Sequence, residues 1–293
     1  MRIRHLDPEN PGENAILVEG LTREVVLFHL TDAHLAEADE RDPQAREAAA
    51  KYQELFRQYT PTGAPACQVF AGLLEQAGKL GPDCAALTGD IIHFPSAAGL
   101  ERMAQGLDGL EYLYTLGNHD WFFPYLQWNE ATRREYYPRF NPFTGGNPAC
   151  QAREVGGVRL VALDNSTYQV SAAQVDFLRE QLRAGQPCVL LVHIPLYIPS
   201  LAPAVMARWK APIMMGAEEG WTEETRAKWL VQGVEESTRA CVELAQQADN
   251  LVGILCGHVH FSHADALREG CWQYVTRPGF EGGFRVIRLR PYR

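Results

Sequence analysis

The seven cysteines of this 293-residue chain are odd in number and form no Cys-x-x-Cys pair. Such spacing does not indicate a disulfide framework or a cysteine-rich metal site. We therefore expect the cysteines to be small core residues in a reducing compartment.

The sequence also has no apolar run long enough to cross a bilayer. Its first eight residues mix charges with Pro8 and contain no apolar core of the signal-peptide type. From these two absences we expect a soluble cytoplasmic protein with no membrane partner.

Positive charge is scarce. Lys and Arg number 27 against 36 Asp and Glu, which gives a formal net charge of -9. Binding to long nucleic acids needs a basic groove that releases counterions from the phosphate backbone. The charge therefore argues against long nucleic acid as a partner, although a local basic pocket stays compatible with it.

Two common enzyme motifs are missing. The chain has no Gly-x-Ser-x-Gly turn, which presents a nucleophilic serine in many hydrolases. Gly72 and the pair Gly78-Lys79 resemble a phosphate-binding loop, but the spacing is one residue too long and Leu80 replaces the required Ser or Thr. We therefore reject the phosphate-binding loop.

The length and the 46% hydrophobic content suffice for one large domain. Residues 1–24 are predicted to be an N-terminal lead-in, with residues 1–12 in a loose conformation, and residues 25–293 to be the domain. The interval at about 194–235 is predicted to be a cap-like insertion. Its first part, residues 194–220, has four prolines and three methionines without a clear period, and we expect it to control substrate choice.

Continuous apolar runs, such as residues 25–30, 84–87, 189–192 and 251–256, predict buried strands. Helices are predicted at about residues 45–59, 65–80, 96–107, 171–183 and 237–248, with another that begins at Thr222. Residues 153–155 and 158–163 flank Gly156-Gly157 and predict a β-hairpin. This order of elements predicts a layered α/β domain with mixed sheets and flanking helices.

Five strand-like runs end in residues that commonly bind metals. The segments that follow them are Asp32-Ala33-His34, Gly89-Asp90, Leu116-Gly117-Asn118-His119-Asp120, His193 and Gly257-His258-Val259-His260. Gly-Asn alone is equally typical of a polar turn, but five such segments together favour a reaction site. Carboxylate, amide and imidazole groups suit divalent ions, and a carboxylate such as Asp90 can bridge two of them.

In this order the motifs Asp-x-His, Gly-Asp, Gly-Asn-His-Asp, His and Gly-His-x-His resemble those of the calcineurin-like metallophosphoesterase family, over residues 25 to about 289. The resemblance implies an α/β fold, a four-layer α/β/β/α sandwich of two mixed β-sheets flanked by helices. It also implies the ligands of two metal ions: Asp32, His34 and His260 for one, Asn118, His193 and His258 for the other, and Asp90 as the bridge.

The resemblance further implies that His119 protonates the leaving oxygen or binds the phosphoryl group, and that Asp120 orients the His119 ring. The reaction would be hydrolysis of a small phosphodiester or phosphomonoester, a cyclic nucleotide being one candidate. A water that bridges two Mn, Fe or Zn ions would attack phosphorus in line. A nuclease of the same family and a protein-binding scaffold without catalysis are the alternatives.

Further predictions concern two histidines, a group of aromatic residues and Asn165. His93 stands where many relatives carry a carboxylate, and it either faces the substrate or is structural. The aromatic residues between Trp121 and Tyr137 either roof a pocket or fill the core. His29 is predicted to be a core histidine rather than a ligand, and Asn165 could lie near the pocket.

Overall fold

The computed structural model describes all 293 residues, which include twelve strands and eight α-helices. The strands are β1 (Ile3–Leu6), β2 (Glu13–Val18), β3 (Val25–Leu30), β4 (Cys84–Thr88), β5 (Tyr112–Thr115), β6 (Cys150–Val155), β7 (Val158–Leu163), β8 (Cys188–Leu191), β9 (Leu251–Cys256), β10 (His263–Arg268), β11 (Cys271–Val275) and β12 (Arg285–Pro291). The helices are α1 (Arg46–Arg57), α2 (Ala66–Leu80), α3 (Ala97–Leu107), α4 (Glu130–Tyr136), α5 (Ala172–Arg183), α6 (Ala202–Trp209), α7 (Glu223–Trp229) and α8 (Glu236–Gln247).

Six strands form sheet 1 in the order β1-β2-β12-β3-β4-β5, and six form sheet 2 in the order β10-β11-β9-β8-β7-β6. Strands β3, β4 and β5 pair in parallel in sheet 1, as do β7, β8 and β9 in sheet 2. Both sheets also contain antiparallel pairs and are therefore mixed. Strands β4, β8 and β9 are buried along their whole length, which explains their continuous apolar sequences.

Three apolar layers join the sheets and helices. The middle layer lies between the two sheets and contains side chains from both, such as Leu27 and Leu191. A second layer joins the outer face of sheet 1 to α2 and α3 through residues such as Phe70. A third joins the outer face of sheet 2 to α5 and α8 through residues such as Leu178. The predicted four-layer α/β/β/α sandwich is confirmed.

Local signals place most helix starts correctly. The Ser96 side chain accepts a hydrogen bond from the Gly99 amide at the start of α3. Ser171 and Gln174 form a capping box at the start of α5. These side chains satisfy amide groups that have no partner within the helix, so they fix where each helix begins.

The N-terminal segment differs from its prediction. Residues 1–12 are predicted to be loose, but β1 lies within them and pairs antiparallel with β2 at the edge of sheet 1. Its four residues, Ile-Arg-His-Leu, carry too weak a pattern to predict a strand. Pairing with β2 decides its conformation, so the prediction of a loose segment is wrong.

The predicted insertion contains α6 and α7. Residues 194–220 contribute ten of the 29 buried side chains in the apolar layer outside sheet 2. This part of the insertion is therefore packed into the body of the domain. Helix α6 has a proline in its first turn, which obscures its period in the sequence. Control of substrate choice by the insertion stays a prediction.

None of the eight helices combines the length and the apolar content that spanning a bilayer requires.

Candidate metal centre

The seven predicted ligands follow the carboxyl ends of five strands. Asp32 and His34 follow β3, Asp90 follows β4, Asn118 follows β5, His193 follows β8, and His258 and His260 follow β9. Because these strands are parallel within each sheet, their carboxyl ends meet at one edge, where α/β proteins commonly bind ligands. Both sheets deliver side chains to the same site.

Five of these ligands have a left-handed backbone conformation. The φ angles are 51° at Asp32, 48° at His34, 51° at Asp90, 68° at His258 and 58° at His260. This conformation costs a residue with a side chain about 1–2 kcal/mol. Such strain persists where the surrounding structure enforces it, and it concentrates at functional sites.

Three motif glycines let the turns approach one another. A Cβ atom at Gly117 would lie 2.2 Å from Asp90 Oδ1, and one at Gly257 would lie 2.2 Å from Asp32 Oδ2. A Cβ atom at Gly89 would lie 2.4 Å from the backbone nitrogen of Gly117. These distances leave no room for a side chain, so close approach between loops explains the glycines.

Asp32 lies at the centre of the first ligand set. Its Oδ1 atom is 3.2 Å from His260 Nε2 and 3.8 Å from His34 Nε2. The two imidazole nitrogens are 3.3 Å apart. Asp90 Oδ2 is also 3.8 Å from His34 Nε2. Oxygen and nitrogen donors converge here as around a single cation.

Asp90 joins this set to the second one. The same Oδ2 atom is 3.2 Å from His193 Nε2, which is 3.2 Å from Asn118 Oδ1. The His258 ring lies beside that of His193, with 5.1 Å between their centroids. One carboxylate oxygen of Asp90 thus faces ligands of both predicted ions, as a bridging ligand would.

The charges of the site suit cations. The ion pairs of Asp32 and Asp90 involve only His34, His193 and His260, with no Lys or Arg. Burial raises the pKa of both carboxyls, but His260 and His193 outweigh it and lower the pKa of Asp32 and Asp90, respectively. Both side chains stay ionised, which is the form that binds metals.

The pKa values of the buried histidines shift in opposite directions. Burial lowers the pKa of His34 and His258 well below the usual value, which keeps these rings neutral and able to bind a metal. Burial also opposes the charged form of His193, but the Asp90 carboxylate outweighs it and raises the pKa of His193 to about 10. A metal cation would replace the positive charge that this proton supplies.

His119 and His93 lie beside the ligands. The His119 amide donates to Asp90 Oδ1 at 2.8 Å, and its ring stacks on that of His93 with centroids 4.3 Å apart. His93 is only 4% exposed, and its Nδ1 lies 2.9 Å from Nδ1 of His34. His93 therefore contacts a predicted ligand and the predicted acid, and its buried Nε2 has no hydrogen-bond partner.

Asp120 hydrogen-bonds the backbone of the turns that carry predicted ligands. Its Oδ2 atom accepts hydrogen bonds from the backbone amides of Asp90 and Gly117 at 2.8 and 2.6 Å, and its Oδ1 atom accepts from that of Ile92 at 3.2 Å. The carboxylate does not hydrogen-bond the His119 ring. Asp120 therefore joins two turns that carry predicted ligands, and its role as the orienting partner of His119 stays a prediction.

The turn after β7 also supports the site. Asn165 Oδ1 accepts from the amides of His193 and Ile194, both at 3.0 Å, and its side-chain amide donates to the Ile194 carbonyl at 2.7 Å. Ser166 accepts from the indole of Trp121 at 2.9 Å. This turn carries the same sequence signal as the predicted ligands, because its polar residues directly follow a buried strand.

Aromatic residues from the predicted insertion lie beside two of the predicted histidine ligands. Trp209 lies edge-on to His260, with centroids 5.5 Å apart, and Trp229 lies edge-on to His258 at 6.1 Å. The buried indole nitrogen of Trp229 has no partner. By contrast, Trp121 in the aromatic stretch after Asp120 is fully buried and packs in the core.

A cavity of about 230 Å³ opens beside His34. Its polar lining includes Glu37, Gln53 and Arg57. Two of these side chains come from α1, which also stacks Phe56 on the His34 ring with centroids 4.9 Å apart. Space for a small polar group therefore adjoins a predicted ligand.

Solved structures share this architecture. A dimetal phosphatase from Danio rerio is 10% identical and matches with a TM-score of 0.52, over 89% of this chain and 91% of that chain. A purple acid phosphatase from yellow lupin (Lupinus luteus) seeds is 12% identical, with a TM-score of 0.53 over 92% of this chain and 46% of that chain. At these identities the likeness establishes the fold alone.

Sequence comparison adds a relative and a family. A cAMP/cGMP dual specificity phosphodiesterase of Mycobacterium tuberculosis (strain CDC 1551 / Oshkosh) is 26% identical over 183 residues, which cover 58% of this chain and 49% of the relative. The match thus spans about half the length of that protein. A sequence model of the calcineurin-like phosphoesterases matches residues 26–262. The chain therefore belongs to the calcineurin-like phosphoesterase family.

Proposed function

We propose that the protein is a metal-dependent hydrolase that cleaves a small phosphodiester or phosphomonoester with two bound metal ions. The observation that carries this proposal is the convergence of seven Asp, Asn and His side chains from both sheets, with Asp90 facing both ligand sets. Family membership supports the reaction class. Mn, Fe and Zn all suit a mixture of carboxylate, amide and imidazole ligands.

The donor set fits the proposed ions. Asp32, His34 and His260 would hold one ion, Asn118, His193 and His258 would hold the other, and Asp90 would hold both. When bound, the ions would supply Lewis acidity at the phosphoryl group and activation of water. Burial of the two carboxylates without Lys or Arg partners supports this assignment, since buried charges need compensation.

His119 would donate a proton to the leaving oxygen. Its amide bond to Asp90 Oδ1 fixes the chain position of the imidazole next to the metal centre, and stacking on His93 limits rotation of the ring. A positioned imidazole contributes about 10²–10⁴-fold to such a step. Asp120 would act indirectly, because it holds the backbone of the turns that carry Asp90 and Asn118.

The substrate would be small. The formal net charge of -9 disfavours long nucleic acid. Trp209 and Trp229 offer aromatic surface next to the metal ligands. A cyclic nucleotide is one candidate, because the mycobacterial relative is a cAMP/cGMP phosphodiesterase. A cytoplasmic location is part of the proposal.

The test is an activity screen of the Mn²⁺-reconstituted protein. Substrates are bis(p-nitrophenyl) phosphate, p-nitrophenyl phosphate, cAMP, cGMP and single-stranded DNA, with metal content measured in parallel. Asp90→Asn removes the proposed bridging carboxylate and should lose bound metal and turnover. Asp176→Asn is the matched control, because Asp176 is an exposed acid of α5 and its change should leave both unaffected.

The outcomes separate the candidate functions. Hydrolysis of small esters without cleavage of DNA supports the proposal. Cleavage of single-stranded DNA would favour the nuclease alternative. A protein that binds two ions yet turns over none of these substrates would favour the scaffold alternative and contradict the proposal.

A further inference from the structure

Tyr168 combines an unusual backbone with a contact to a predicted ligand. Its φ angle is 66°, in the left-handed region, and its side chain is almost fully buried. The hydroxyl oxygen lies 2.9 Å from Nε2 of His258, whose own φ angle is 68°. Bulky side chains pay about 1–2 kcal/mol for this backbone conformation. Strain of this kind points to a functional contact.

This contact restricts how His258 can bind a cation. An imidazole offers a metal the ring nitrogen that has a free lone pair, while its other nitrogen carries hydrogen. Because Tyr168 occupies the Nε2 side, Nδ1 is the nitrogen left for a metal. Nε2–H would then donate to the tyrosine oxygen. Hydrogen bonds of this kind fix the tautomer and the ring orientation of metal-binding histidines.

The turn that carries Tyr168, residues 164–168, also supports His193, the histidine beside His258. The Tyr168 amide donates to the Asn165 carbonyl at 2.8 Å, and Asn165 Oδ1 accepts from the His193 amide at 3.0 Å. His193 and His258 are the two histidines proposed for one ion. No hydrogen bond joins residues 164–168 directly to Asp32, His34 or His260. The backbone amide of His258 donates to Asp32 Oδ2 at 3.0 Å, but the side-chain contacts of this turn reach only the histidines of one half of the centre.

We propose that Tyr168 is a positioning residue that presents Nδ1 of His258 to the metal centre. It would thereby set the affinity of the ion held by Asn118, His193 and His258 without changing that of the other ion. This inference rests on the proposed dinuclear function and adds a distinction between its two metal sites. Loss of the hydroxyl should weaken binding of that ion by about 10–100-fold, the usual effect of removing a partner of a metal ligand.

The test compares Tyr168→Phe with Tyr274→Phe. Tyr274 is also buried and its hydroxyl also contacts a histidine, at 2.6 Å from Nδ1 of His5, which is not a predicted ligand. Titration of metal-free protein with Mn²⁺ by isothermal calorimetry, together with elemental analysis, resolves the two binding events. Thermal unfolding in EDTA measures the stability of each variant without metal.

We expect Tyr168→Phe to weaken the binding of one ion and to leave the binding of the other unchanged. In EDTA it should lower the unfolding temperature no more than Tyr274→Phe does, since each change removes one buried hydrogen bond to a histidine. Tyr274→Phe should bind both ions as the wild type does. The proposal would be overturned if Tyr168→Phe weakened the binding of both ions equally or of neither. It would also be overturned if the wild type bound fewer than two ions, or if Tyr168→Phe lost much of its stability in EDTA. Selective loss of one ion in a protein without phosphoesterase activity would instead contradict the proposed function alone.

Discussion

Replacement of Gly117 by alanine tests the close approach of the ligand-bearing turns. Gly117 does not have a left-handed φ angle, so the backbone itself tolerates alanine. The added Cβ atom, however, would lie 2.2 Å from Asp90 Oδ1 and 2.5 Å from the Asp90 nitrogen. Ordinary van der Waals contact begins near 3.4 Å. Asp90 or the Gly117 turn must therefore move by roughly 1 Å, as in an overpacked core.

This movement should affect both stability and chemistry. The displaced turns also carry the hydrogen bonds from the His119 amide to Asp90 and from the Gly117 amide to Asp120. Overpacking typically costs about 1–3 kcal/mol of the free energy of unfolding. A displacement of about 1 Å at a reaction centre can lower turnover by about 10²-fold. Because Asp90 is the proposed bridge, Gly117→Ala should also lose bound metal.

The assay combines urea unfolding of metal-free protein, metal content after dialysis, and turnover of bis(p-nitrophenyl) phosphate. The matched control is Gly72→Ala in α2, where an added Cβ atom has no neighbour within 4 Å. That change should stabilise the protein by about 0.5–1 kcal/mol, because alanine favours helix over glycine. If Gly117→Ala kept its metal and wild-type turnover, the inferred contact between the two turns would be wrong.

His119→Ala should keep both ions and lower turnover of alkyl esters by about 10²–10⁴-fold. The loss should be smaller for nitrophenyl esters, because their leaving group needs little protonation. Equal losses on both ester classes would contradict proton transfer by His119. Trp229→Leu should change the relative KM values of aromatic and alkyl esters without changing metal content, and unchanged ratios would exclude a substrate contact. Burial lowers the pKa of His5 from 6.5 to about 4. As the pH falls, His5 is therefore protonated in the unfolded chain before it is protonated in the folded chain. The free energy of unfolding decreases between pH 6.5 and about pH 4. Urea unfolding at pH 7 and at pH 5 measures how much the free energy of unfolding falls on acidification. In His5→Gln this fall should be smaller than in the wild type by about 1–2 kcal/mol.

The sequence predicted the fold, and it placed the seven candidate ligands at neighbouring strand ends, because both depend on local signals. A strand buried on both faces has a continuous apolar sequence, as in β4, β8 and β9. Polar residues directly after such runs therefore mark strand ends, and all seven predicted ligands lie together beyond those ends. Their assignment to two ions stays a prediction until metal binding is measured.

Other features depend on tertiary contacts that local patterns do not encode. Strand β1 forms because β2 provides a partner at the edge of sheet 1. The Asp120 carboxylate reaches the Asp90 amide, thirty residues away in sequence. Tyr168 lies ninety residues from His258, and no residue next to it in the sequence indicates their contact. Roles that arise from such distant contacts could be identified only in the folded chain.

The proposed ligands come from both sheets, and this division would link metal supply to the association of the sheets. Asp32, His34, Asp90 and Asn118 follow strands of sheet 1, whereas the other three ligands follow strands of sheet 2. Each proposed ion would thus form a coordinate cross-link between the sheets, in addition to the apolar layer and the hydrogen bonds that already join them. An ion that binds only the folded chain adds about 2.7 kcal/mol of stability at a hundredfold excess over its Kd. A shortage of metal would therefore shorten the lifetime of the folded protein as well as stop its turnover.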